Sequence, residues 1–131
     1  MESLINYKLI TNKISIKNNH IKDGTFSVDP QVRRTINELN DGRAAVTYEL
    51  ILKNTDSQPF PYDIEVSLTG IFDVSKLNEK SVEDFLKVQT CQIIFPQIRT
   101  IIANLTASAF LPPLLLPIID ARKLFSDNEV F

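Results

Sequence analysis

Residues 62–74 read YDIEVSLTGIFDV. In an extended chain Tyr62, Ile64, Val66, Leu68, Phe72 and Val74 share one face, and Asp63, Glu65, Ser67, Thr69 and Asp73 share the other. A repeat of two residues is the signature of a strand with one covered face and one wetter face. Gly70 interrupts the apolar face and marks either a bulge or the close approach of another element.

Working upstream, RAAVTYELILK at 43–53 alternates in the same way, with Val46, Tyr48, Leu50 and Leu52 opposite Thr47, Glu49 and Lys53. NTDSQPFP separates the two runs as a turn. QVRRTINEL at 31–39 fits two patterns: Val32, Ile36 and Leu39 make a helical stripe, whereas Val32, Arg34 and Ile36 share a strand face. NDG at 40–42 decides for a strand, because Asn, Asp and Gly tolerate the positive φ of a hairpin. NYKLITNKISIK at 6–17 sets β-branched residues among lysines and asparagines, as a half-exposed strand does. Residues 18–30 collect Asn, Gly, Asp and Pro and read as a loop. Consecutive strands on short turns predict an antiparallel sheet.

The pattern changes after residue 75. Asn78 is placed to cap a short helix, NEKSVEDFLKV, with Val82, Phe85 and Leu86 turned inward. A second helix is predicted over FPQIRTIIANLTASA, with Pro96 in its first turn and Ile98, Ile101, Ile102 and Leu105 along one stripe. IDARKLFSDNEVF predicts a last short helix. Strands first and helices afterwards define an α+β class. The expectation is one domain over residues 1–131, with a sheet over about 6–74 and a helical part over about 78–131.

Composition narrows the function. Fourteen basic and sixteen acidic residues leave a net charge of −2, without the basic stripe that tracks a nucleic-acid backbone. Cys91 is the only cysteine, so no internal disulfide forms, and its apolar neighbours point to an inert, packed thiol. His20, the only histidine, lies in a polar loop segment, and the three glycines are isolated. No enzyme chemistry, metal or other cofactor is expected from such residues. Asp63 and Glu65 project from one strand face, where solvation or partner docking is commoner than cation binding. MESLINYKLITNK lacks the features of a signal peptide, and a cytoplasmic location is expected.

One segment stands apart. Residues 111–119 read LPPLLLPII, within twenty uncharged residues between Arg99 and Asp120. That length suffices to span a bilayer, but Pro112, Pro113 and Pro117 break helical geometry and leave backbone groups that lipid cannot satisfy. No membrane insertion is expected. The run is then either a subunit contact or a surface that holds something apolar.

GIFDV at 70–74, CQIIFPQIR at 91–99, the proline-interrupted loop and ARKLF at 121–125 occur in an order that resembles the SecB export chaperones. NKISIK, DPQV and VTYELILK resemble that family's first three strands. The resemblance implies a four-stranded antiparallel sheet followed by helices, with a long crossover after the first strand. It implies a homotetramer, a dimer of dimers. It also implies ATP-independent holding of unfolded or extended polypeptide clients in apolar grooves, in protein export or for a dedicated client such as an antitoxin. Carried over, groove positions are Phe26, Val28, Leu111, Leu114, Leu116, Ile118, Ile119 and Phe125, and Ile98, Ile101, Ile102 and Leu105 are interface or core. Family members that dock on the SecA motor carry carboxylates beside the first strand's I-S-F and on the fourth strand. Here Lys13 and Lys17 stand at the first two positions, and Glu65 alone remains acidic. Val28 replaces an expected tryptophan. A different class also fits the bare residues: an adaptor oligomer whose apolar loop only joins subunits.

Overall fold

A computed structural model describes residues 6–21, 26, 28, 30–111 and 114–116. Four strands, β1 (Tyr7–Asn18), β2 (Gln31–Glu38), β3 (Arg43–Leu52) and β4 (Tyr62–Asp73), precede a helical run. That run comprises α1 (Glu79–Asp84), a π-helical turn (Phe85–Gln89) and α2 (Thr90–Ser108). The sheet order is β1-β4-β3-β2, antiparallel throughout. β2, β3 and β4 form a meander, and β1 joins the free edge of β4. The chain between β1 and β2 therefore crosses from one edge of the sheet to the other.

Pairing follows the alternation. Val46, Tyr48, Leu50, Ile64, Val66, Leu68 and Phe72 are buried on one face. Helix α2 lies across this face, contributing Cys91, Ile94, Phe95, Ile98 and Ile102 to the same core. Gly70 marks a close approach. A Cβ there would sit 2.5 Å from the Phe72 ring and 3.0 Å from Ile94 Cδ1.

The sheet's irregularity falls on β1 instead, where the register shifts between Thr11 and Lys13. The extra residue, Asn12, turns outward and donates to Thr69 Oγ1 at 2.7 Å and to Ser67 Oγ at 3.2 Å. In a regular strand a period of two would place Leu9 and Ile16, seven residues apart, on opposite faces. With Asn12 bulged out, Leu9 opposes Gly70, Ile16 opposes Ile64, and both pack against the core. At the hairpin between β2 and β3, Asp41 and Gly42 take φ of 74° and 72°, the left-handed turn that NDG foretells.

Two expectations for the helical part are corrected. Helix is continuous from Glu79 to Ser108, with no break before Phe95, and Pro96 lies inside α2 rather than in its first turn. Pro96 and Gln92 both sit on the exposed side, so the Gln92 carbonyl that Pro96 cannot bond faces water. Asn78 does cap α1, its Oδ1 accepting from Ser81 N at 2.8 Å. The π turn then keeps Phe85, Leu86, Val88 and Cys91 facing the sheet as the helix passes from α1 to α2. Its loosened carbonyls find new donors. Thr90 Oγ1 donates to Leu86 O at 2.8 Å and accepts from Tyr48 OH at 2.8 Å, while the Arg34 guanidinium donates to Lys87 O. Burial pushes the Tyr48 phenol up to about 12 and raises the Cys91 thiol as well.

Candidate functional site: an apolar surface at the crossover end

β1 ends, β3 ends and β4 begins at the same end of the sheet. Helix α2 runs antiparallel to β4, with Phe85 against Phe72 and Ile94 near Gly70, so its C-terminus is carried toward that end. Polar groups tie the crossover to the β3–β4 loop. Asn19 donates its backbone N–H to Pro61 O at 2.9 Å, and its amide to Phe60 O at 3.1 Å and Asp63 Oδ1 at 3.0 Å. Asp63 also accepts from Asn54 N at 2.9 Å. These two bonds, with Asn54 the larger influence, hold the Asp63 carboxyl below its ordinary range.

That clamp positions an aromatic cluster. Phe60, with its N–H on Asn54 Oδ1 at 3.0 Å, is buried and meets Tyr62 edge-on at 5.7 Å. Phe26 closes on Phe60 in a T-shaped contact at 6.3 Å and is half-buried, whereas Val28 is 43% exposed. Phe60 is a site residue that the sequence pattern hid, because it stands in a polar turn between two prolines. An aromatic so flanked was the one available signal.

The chain beyond α2 is pinned as well. Thr106, fully buried, directs its hydroxyl at the Ile102 and Ala103 carbonyls and accepts from Leu114 N at 2.9 Å. Arg99 Nε donates to Leu116 O at 3.0 Å. Leu111 and Leu114 are half-buried against the core and Leu116 is only 3% exposed. Phe110 and Leu115 point outward, 98% and 76% exposed. Of the other groove positions, Ile118, Ile119 and Phe125 lie outside the described residues. Along α2, Ile98 and Ile102 are core, and Ile101 and Leu105 are half-buried beside them.

On the opposite face of the sheet, Glu65 forms an ion pair with Lys13 at 2.7 Å, a contact that lowers its pKa. Lys17 opposes Asp63 in the register. Charges of both signs thus alternate across β1 and β4. A cavity of about 410 Å³ lined by Leu39, Arg43, Leu77 and Val82 lies at the hairpin end, away from the aromatic cluster. Among the described residues no three His, Cys, Asp or Glu side chains converge as metal ligands, and no helix is long and apolar enough to cross a membrane.

The sheet order, the crossover and the long helix define the SecB-like chaperone fold. They match the SecB-like chaperone of Mycobacterium tuberculosis, solved with a ChAD peptide from the HigA1 antitoxin, with a TM-score of 0.73 at 14% identity over 88% of this chain and 91% of that one. The family model described as preprotein translocase subunit SecB matches residues 11–130, and the chain belongs to the SecB family. Protein-export protein SecB of Orientia tsutsugamushi strain Boryong is 25% identical over 89% of this chain and 84% of its own length. An uncharacterized protein of Methanocaldococcus jannaschii is 27% identical over 93% of this chain and 77% of its own.

Proposed function

We propose that this chain is an ATP-independent holdase that captures extended apolar stretches of non-native polypeptides at the crossover end of its sheet. The observation that carries the reading is the pinned segment after α2, which buries Leu116 and turns Phe110 and Leu115 to solvent. Hydrogen bonds from Arg99 and to Thr106 hold its backbone, so little ordering entropy is lost when a client arrives. Each leucine or phenylalanine that a client covers contributes roughly 1.5–3 kcal/mol, so a few contacts give usable yet sequence-tolerant affinity. The dimer of dimers implied by the family would present several such surfaces and raise avidity. Light scattering of a denatured client diluted into the purified protein tests the reading. Aggregation should be suppressed at equimolar oligomer, and unaltered aggregation overturns it.

A dedicated client, such as an antitoxin tail, is favoured over general export by the Lys13–Glu65 ion pair. A neutralised outer face offers a basic motor surface little attraction. Co-purification separates the alternatives: one stoichiometric small partner supports the dedicated role, and a broad mixture supports export.

A further inference from the structure

We propose that the cavity at the hairpin end takes the N-terminal residue of a polypeptide, its side chain on the cavity floor and its α-ammonium beside two carboxylates. The cavity lies at the end of the sheet opposite the crossover, so it is separate from the client surface described above. Its volume of about 410 Å³ is near the lower end of the roughly 300–1,000 Å³ that ligand pockets span. Three elements frame it. The β2–β3 hairpin supplies Leu39 and Arg43, the turn after β4 supplies Val74 and Leu77, and α1 supplies Glu79 and Val82. Backbone bonds fix the frame: Val74 N–H donates to Gly42 O at 2.9 Å, Leu39 N–H to Arg43 O at 2.8 Å and Leu77 N–H to Val74 O at 3.1 Å. A Cβ on Gly42 would sit 2.6 Å from Ser75 Cβ, so the hairpin lies directly on the turn. A site held in this way loses little entropy when a ligand arrives.

The chemistry of the cavity changes with depth. Val74 is buried, and Leu77 and Val82 are half-buried against the core, whereas Glu38 and Glu79 are exposed at the rim. Leu39 leaves 39% of its surface open there. Neither glutamate has an ion-pair partner among the described residues. Arg43, the cation of the lining, is drawn to Asp41 Oδ2 at 3.4 Å. An aliphatic floor under uncompensated carboxylates fits a ligand with an apolar body and a positive head. Depth selects among such ligands. A lysine or arginine side chain carries its charge at the tip and would bury it against valine and leucine, a costly desolvation. The first residue of a chain carries its ammonium on Cα, so an apolar side chain reaches the floor while the charge stays at the rim.

The test follows the methyl NMR signals of Leu39, Val74, Leu77 and Val82 in the full chain. Leucinamide should shift them saturably, and a hexapeptide beginning with leucine should bind at least as tightly. N-acetylation of either ligand should weaken binding about tenfold. Glu38→Gln and Glu79→Gln should each do the same at an unchanged melting temperature. N-acetyl-lysinamide, with its ammonium at the side-chain tip, should bind about tenfold more weakly than leucinamide. Equal binding of acetylated and free leucinamide overturns the proposal, because the ammonium is then not recognised. Tighter binding of N-acetyl-lysinamide overturns it by assigning the cavity to basic side chains within a chain. A hexapeptide that fails to bind where leucinamide binds overturns it by assigning the cavity to free amines. Absence of any saturable shift also overturns it, and leaves the holdase reading in place.

Discussion

At the scale of single residues, the polar side chains at the crossover end matter as much as the apolar ones. Asp63 stands on the wet face of β4, yet its carboxylate gathers Asn54 from the β3–β4 loop and Asn19 from the start of the crossover. Its pKa lies below the ordinary value in the folded state. Such a group stabilises the fold fully at pH values above its unfolded pKa, and the contribution is lost as pH falls through the folded pKa. Wild type should therefore lose stability below about pH 4, and Asp63→Asn should be less stable at pH 7 but lose less on acidification. Urea denaturation between pH 7 and pH 2 checks this, and parallel curves for the two proteins would exclude the role. Glu65, Asp73 and Glu83, lowered by Lys13, Ser75 and Lys87 respectively, supply the slope that remains.

At the scale of elements, two irregularities let an ordinary pattern close on one core. The bulge at Asn12 corrects the phase of β1, and the π turn at Phe85–Gln89 corrects that of the helix. Deleting Asn12 leaves Leu9 and Ile16 six residues apart, so a regular strand keeps both inward and only about 1 kcal/mol should be lost with the two Asn12 hydrogen bonds. Asn12→Ala keeps the residue count and should also cost about 1 kcal/mol. A urea midpoint for the deletion far below that of Asn12→Ala would show that the bulge does more than absorb the extra residue. At the π turn, Thr90→Val removes a hydroxyl that serves both Tyr48 and Leu86, and about 1–3 kcal/mol of stability should go with it. The double variant with Tyr48→Phe should cost less than the sum of the singles, because both changes remove the same buried bond. Strands β2, β3 and β4 were legible because each repeats every two residues with its turn chemistry in place. The joined helix was not. Pro96 reads as a helix start, and only the solvent on that side of α2 lets it sit in the interior.

At the scale of the whole molecule, the two faces of the sheet have separate fates. One is sealed by α2, and the other carries a balanced row of charges in which Lys13 neutralises Glu65. Lys13→Glu would set two carboxylates side by side on that outer face. Binding to a basic partner such as the SecA motor should then tighten, with an advantage that shrinks as salt rises from about 0.05 to 0.3 M. Titration calorimetry at the two salt concentrations reads this, and a salt-independent affinity would rule out electrostatic docking there. By itself the sequence determined the sheet, its hairpin, the capped start of the helix and an uncharged proline-broken loop, because period, turn residues and charge are local properties of a chain. Motif order along residues 12–125 carried the family. Only the tertiary structure decided that Phe60 belongs to the aromatic cluster, that Asn12 is the bulge, and that Leu116 is buried while Phe110 and Leu115 are bare. Those outcomes depend on which groups other segments bring within hydrogen-bond or van der Waals reach. Thr106 and Arg99 hold down residues eight and seventeen positions away, and no local pattern records such a contact.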